Sequence, residues 1–215
     1  MVQLVVHLYS FRHNPLIFQL LFTLLFLSIM QTIQLSVYSF AELSEKAKEV
    51  AINQYRQTND DDYHSLDEFI DTLKKGCDAF NVLVVNYSID PCYASQSWVK
   101  TNNRNDNTGD LKGVRLRTWL INNFYDVFYT KERNKVVETC CPFTGVCFDE
   151  NFLDTFRDFI KKPDNRTFSD LIEEAIESVL QAIQADYEYQ NSDEYIIETI
   201  EANDYVFLAT GKQYY

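Results

Sequence analysis

Cys140, Cys141 and Cys147 stand close together, and thiolates grouped in this way could hold a soft metal ion, close a disulfide or react as nucleophiles. Structural zinc sites pair their ligands as C-x2-4-C, so that a short loop wraps one ion. Two adjacent cysteines and a third after five intervening residues fit that geometry poorly. The total of five cysteines is odd, which argues against a closed disulfide framework. Free thiols are the leading reading, with a zinc site and a disulfide such as Cys141–Cys147 as the alternatives.

His64 follows Asp60, Asp61 and Asp62, and an imidazole beside carboxylates can bind a divalent ion or move protons. The same aspartates stand where a helix begins, and there they complement the positive end of its dipole as a solvated surface. His64 is the one histidine outside the apolar N-terminal stretch, so any Ser-His-Asp or Cys-His mechanism would have to use it. No G-x-G-x-x-G, G-x-x-x-x-G-K, H-E-x-x-H or G-x-S-x-G occurs, and the five glycines are too scattered to cradle a phosphate. No catalytic residue, cofactor or metal is assigned on this basis; a small metal-dependent enzyme is the alternative.

Charge narrows the partners. The chain carries 32 acidic against 19 basic side chains, and Arg12 is the only charged residue before Glu42. The residues from Glu42 onward therefore carry 18 basic against 32 acidic side chains, a net charge of −14 within the whole chain's −13. Nucleic-acid binding relies on Lys and Arg displacing counterions from phosphates, so direct binding of DNA or RNA is disfavoured. A field of this sign draws in basic proteins and speeds their encounter.

The elements that must position these residues can be read from periodicity. Gln31 to Tyr38 alternates as a strand, and Ser44 caps a helix whose face holds Ala47, Val50, Ala51 and Tyr55. A second helix bears Tyr63, Leu66, Phe69, Ile70 and Leu73, and Gly76 marks its end. Phe80 to Ile89 reads as the best-buried strand, Cys92 to Lys100 as its partner, and Thr101 to Asp110 as a surface loop. Leu116, Trp119, Leu120, Phe124, Val127 and Phe128 recur at helical spacing, and Lys135 to Phe148 reads as two extended pieces. Helices over Glu150 to Lys161 and Thr167 to Gln190 follow, the latter with Ile176 and Val179 inward and Glu173, Glu174 and Glu177 outward. Ser192 caps a last helix before a strand at Tyr205 to Leu208. This succession predicts one acidic α+β domain over residues 30–215, with a mostly antiparallel sheet and several packed helices. The tyrosines Tyr187, Tyr189, Tyr195, Tyr205, Tyr214 and Tyr215 are dense enough to suggest a contact face.

Residues 1–29 stand apart from that domain. Leu16 to Met30 is dense in Leu, Ile and Phe, and three readings stay open: an over-extended start, a membrane anchor or a cleaved signal. An anchor would leave the N-terminus in the cytoplasm, given Arg12 before it.

Three stretches carry a resemblance: YSFAELSEKAKEVAINQYR at Tyr38 to Arg56, CPFTGVCFDENFLDTFRDFIKKP at Cys141 to Pro163, and YEYQNSDEYIIETIEANDYVF at Tyr187 to Phe207. They resemble a family of small acidic bacteriophage and prophage proteins, from about Met30 to the C-terminus, with TG-x-CFDE at Thr144 to Glu150 the most specific part. The resemblance implies Met30 as the natural start and a bacterial host cytoplasm as the setting, and it brings no established activity from which catalytic residues could be carried over. Relatives show a glycine-rich S-Q-G-D-G loop after the second strand, where this chain has Ser95, Gln96, Ser97 and Trp98. The expectation is a non-catalytic accessory protein that binds a host or phage protein, in host takeover or counter-defence, with a membrane-anchored protein as a further alternative.

Overall fold

A computed structural model describes residues 34–59, 63, 65–132, 135–145 and 148–215. β1 (Tyr38–Ser39) passes through a 3-10 turn (Phe40–Glu42) into α1 (Glu45–Asn59) and α2 (Ser65–Ala79). The hairpin of β2 (Val82–Ser88) and β3 (Trp98–Asn103) follows, with a 3-10 turn at Ala94–Gln96 before β3. Next come α3 (Gly113–Asn123), α4 (Tyr125–Phe128) and a second hairpin, β4 (Tyr129–Glu132) and β5 (Lys135–Glu138). α5 (Asp149–Lys161), α6 (Phe168–Gln190), α7 (Asp193–Ala202) and β6 (Val206–Phe207) complete the chain.

The architecture is α+β, as the succession of patterns predicts. Its strands are all antiparallel, but they form three separate pairs, β1–β6, β2–β3 and β4–β5. No continuous sheet joins these pairs among the described residues, because aromatic side chains from the helices fill the core that a wide sheet would otherwise cover. Phe80 stacks on Phe156 with centroids 4.2 Å apart and planes 9° from parallel, and Phe152, Phe128, Phe124 and Phe168 close around them. Burying each such ring is worth roughly 1.5–3 kcal/mol.

α6 is the spine. Thr167 caps it and forms a reciprocal box with Asp170, which satisfies two otherwise orphaned N–H groups. Leu171, Ile172, Ala175, Ile176, Val179, Leu180 and Ile183 are buried along one face, which therefore meets α2 and α5. Glu173, Glu174 and Glu177 are exposed on the other side, as the helical period requires.

A second, smaller core joins the two ends of the described chain. Phe40, Leu43, Ala47 and Ala51 pack with Ile196, Ile200 and Phe207, and Phe40 meets Phe207 edge to face at 6.2 Å. Gly211 adopts φ +86°, and a Cβ there would fall 2.0 Å from the Ala47 carbonyl oxygen. Only glycine lets the C-terminal tail approach α1 so closely.

Several local expectations are corrected. Residues 34–37 form no strand, and Leu35 and Val37 are exposed, so alternation there does not reflect a buried face. Val50 is exposed and Ile52 packs instead, because the α1 interface is narrow. Gly76 does not end α2: the helix continues to Ala79, and a Cβ at Gly76 would press 3.0 Å from Phe152 Cγ. The strand expected to be best buried is half-exposed, with Val85 53% accessible, since one face of β2 is left uncovered. Its partner begins at Trp98 and extends through Asn103, into the stretch read as loop. The extended pieces expected over Lys135 to Phe148 reduce to β5, whose partner β4 directly follows α4. Residues 1–29, the charge run Asp60 to Asp62, His64 and Cys147 lie outside the described residues.

Candidate groove between the hairpin and the long helix

α6 and the β2–β3 hairpin splay apart to leave an open groove of about 660 Å³. Ile176 and Leu180 form its floor with Val99, and Ser95, Ser97 and Thr101 line the hairpin wall. Glu173, Glu177, Gln181 and Gln184 line the helix wall. The arrangement follows from two periods meeting: Val99 and Thr101 share the inward face of β3, while Glu173, Glu177, Gln181 and Gln184 recur along α6 at three- and four-residue spacing. The groove therefore has an apolar base and a polar, acidic rim, and no Lys or Arg among the described residues lines it.

Its two walls are tied at one end. Gln184 Oε1 accepts from the Ala94 N–H at 2.9 Å, which fixes the 3-10 turn on α6, and Gln184 Nε2 donates to Glu188 at 2.7 Å. Ser97 Oγ accepts from the Asp90 N–H at 2.9 Å and so sets the approach to β3. Glu177 accepts from Gln181 Nε2 at 3.2 Å, and Glu173 from Ser169 at 3.4 Å. Neither carboxylate has a cationic partner among the described residues. Glu174 differs: it is paired with Arg166, whose guanidinium also holds Asp164 at 2.9 Å. The hydrogen bonds from Arg166 hold the Asp164 carboxyl below the usual range, and reciprocally raise the guanidinium.

The residues singled out for chemistry fall elsewhere. Cys140 is exposed, Cys141 half-buried and Cys92 half-buried, while Cys77 is buried and desolvation pushes its thiol up to about 12. No group of three or more His, Cys, Asp and Glu is arranged to hold a metal among the described residues. The set of Cys140, Cys141 and Cys147 and the set around His64 each include residues outside that description. No described helix is long and apolar enough to cross a membrane, and Leu16 to Met30 lies outside the described residues.

The TG-x-CFDE stretch has a structural part to play. Asp149 is fully buried, and its carboxylate accepts from the Phe143 and Thr144 N–H groups at 2.7 and 2.9 Å and from the Thr144 and Thr72 hydroxyls at 2.6 and 3.1 Å. Four donors compensate the charge for its lost water and fasten the loop before α5 to α2. Phe148 adds a ring stacked 3.9 Å from Phe69. The tyrosines are divided: Tyr187, Tyr195 and Tyr205 pack edgewise or tilted against Tyr63, Tyr189 and Tyr55, while Tyr189, Tyr214 and Tyr215 remain exposed. Tyr63 donates to Asp186 at 2.9 Å, and burial first, then the neighbouring carboxylate, raises its phenol.

The groove brings together the Ser95–Trp98 stretch and the outward glutamates of α6, which no spacing along the chain connects. Its hairpin wall is less legible because Thr101 begins a polar run; the one sequence cue is the Val99-x-Thr101 alternation. Compared with family models, curated proteins and solved structures, the chain finds no match.

Proposed function

We propose that this chain is a non-catalytic phage or prophage accessory protein, at work in the bacterial host cytoplasm, that binds a basic host or phage protein. The observation that carries the reading is an acidic rim, Glu173 and Glu177, without cationic partners among the described residues, above an apolar groove floor on a chain of net charge −13. Opposite charge across the interface speeds encounter and sets orientation, while the apolar floor supplies contact area that charge alone does not. The resemblance of Tyr38 to Arg56, Cys141 to Pro163 and Tyr187 to Phe207 to phage proteins supports the biological setting.

The test is kinetic. Proteins captured on the immobilised chain at low salt are identified, purified and measured singly for association and dissociation. Exposed charges are screened beyond about 8 Å at physiological salt, so association should slow steeply as salt rises while dissociation changes less. The partner should be basic. Tight, salt-dependent binding of free DNA or RNA by the chain itself, or a partner whose association ignores salt, overturns the proposal.

A further inference from the structure

The hairpin that walls the groove is itself incomplete. β3 pairs with β2 alone among the described residues, so its other edge offers backbone N–H and C=O groups without a strand partner. β2 packs on α2, the turn before β3 packs on α6, and Val99 and Thr101 of β3 line the groove opposite α6, so of the two strands it is β3 that borders the groove. An added strand would have one row of side chains facing α6 and the other facing outward. On the inward side it would meet Glu173 and Glu177, one helical turn apart and about 5–6 Å between Cβ atoms. Alternate residues of an extended strand are about 6.7 Å apart, a spacing that flexible Lys or Arg side chains bridge easily. On the outward side lies the uncovered face of the hairpin, where Trp98, Val85 and Leu83 are exposed.

We infer that the groove takes an extended segment of the protein partner as a third strand on β3, with basic residues at alternate positions directed at Glu173 and Glu177 and apolar residues between them beside Trp98. This rests on the reading of the chain as a binder of basic proteins and adds the conformation and pattern of what is bound. Main-chain pairing supplies affinity in such strand addition, and alternate side chains supply selectivity.

The experiment uses the full chain and a short labelled peptide of alternating Lys and Val. Two comparators accompany it: a peptide of the same composition with its lysines in one block, and the alternating peptide N-methylated along one edge. The alternating peptide should bind at least about tenfold more tightly than the block peptide, and N-methylation on the pairing edge should abolish binding. Glu173→Gln with Glu177→Gln should weaken binding about tenfold, the product of two exposed ion pairs. Glu174→Gln, which removes one of the two carboxylates paired with Arg166, should leave it unchanged. Equal binding of alternating and block peptides, or indifference to N-methylation, overturns strand addition while leaving a charge-driven binding function in place. If no lysine peptide binds and the captured proteins associate without salt dependence, the underlying functional reading fails as well.

Discussion

Around Phe156 the chain closes its core with a cluster of five phenylalanine rings, and around Phe40 it does so with one buried pair of rings, a few aliphatic side chains and close backbone contact. The main core draws on α2 to α6 and β2, with Phe128, Phe80, Phe152, Phe156 and Phe168 each touching the next. The terminal core holds seven buried residues, two of them alanines, and closes through the β1–β6 pair and the approach of Gly211 to Ala47. Arg56 joins α1 to the turn before α7, donating to the Asn191 carbonyl at 3.1 and 3.2 Å and to Asp193 at 2.6 Å. The first region rests on large buried area together with the buried Asp149 clamp. The second depends on close geometry, so it should open at lower free energy. The groove sits wholly on the first region, which gives a binding surface a rigid base.

The sharpest way to break this comparison is to open the main core. Phe156→Ala should cost about 4 kcal/mol, because a ring in contact with Phe80, Phe128, Phe152 and Phe168 leaves a cavity that its neighbours fill only in part. Chemical denaturation of the full chain measures it, and a loss below about 1 kcal/mol would mean that the rings are not mutually supporting.

Asp149→Ala tests the polar clamp within that same region. It leaves the Phe143 and Thr144 N–H groups and the Thr72 hydroxyl without their acceptor, and a cost of about 3 kcal/mol is expected. Hydrogen exchange should quicken in residues 140–145 before it does in α6.

Gly211→Ala addresses the terminal region. A side chain at positive φ costs about 1–2 kcal/mol, and contact with the Ala47 carbonyl forces the tail away. Amide exchange should rise in α1, α7 and β6 while α5 and α6 keep their protection. Equal acceleration throughout would show one cooperative unit and dissolve the distinction.

The smallest effect concerns the two carboxylate boxes, one in each region. The Ser39 N–H and hydroxyl both donate to Glu42, at 2.8 and 2.9 Å, and these bonds hold its carboxyl below the usual glutamate range. Thr167 does the same for Asp170 at the start of α6. A depressed carboxylate contributes stability that is present above its unfolded pKa and lost as pH falls through the folded one. Acid should therefore release both boxes below the ordinary carboxylate range. A carboxyl titration by NMR should place Glu42 below the ordinary glutamate range, and Ser39→Ala, which keeps the N–H donor and removes the hydroxyl, should move it part of the way upward; an unmoved midpoint rejects the hydroxyl's share of the effect.

Periodicity by itself determined most of the elements. The 3.6-residue stripes of α2, α3, α5 and α6 are long and regular, and Thr167, Ser192 and Ser44 mark helix starts through hydroxyls that satisfy orphan N–H groups. The outward place of Glu173, Glu174 and Glu177 followed from the same stripe. What periodicity could not supply was distance between elements. Gly76 looks like a helix end until the ring of Phe152 is seen against it, since close approach and chain reversal both call for the missing Cβ. β2 reads as buried from its β-branched residues, yet whether both faces are covered depends on what packs above it, and Val85 is left open. Glu174 and Glu177 are equivalent in the pattern, but only the fold brings Arg166 to one and the hairpin's groove to the other. Local spacing governs which side of an element faces inward; the partner across the gap is a matter of tertiary packing, and the groove exists only there.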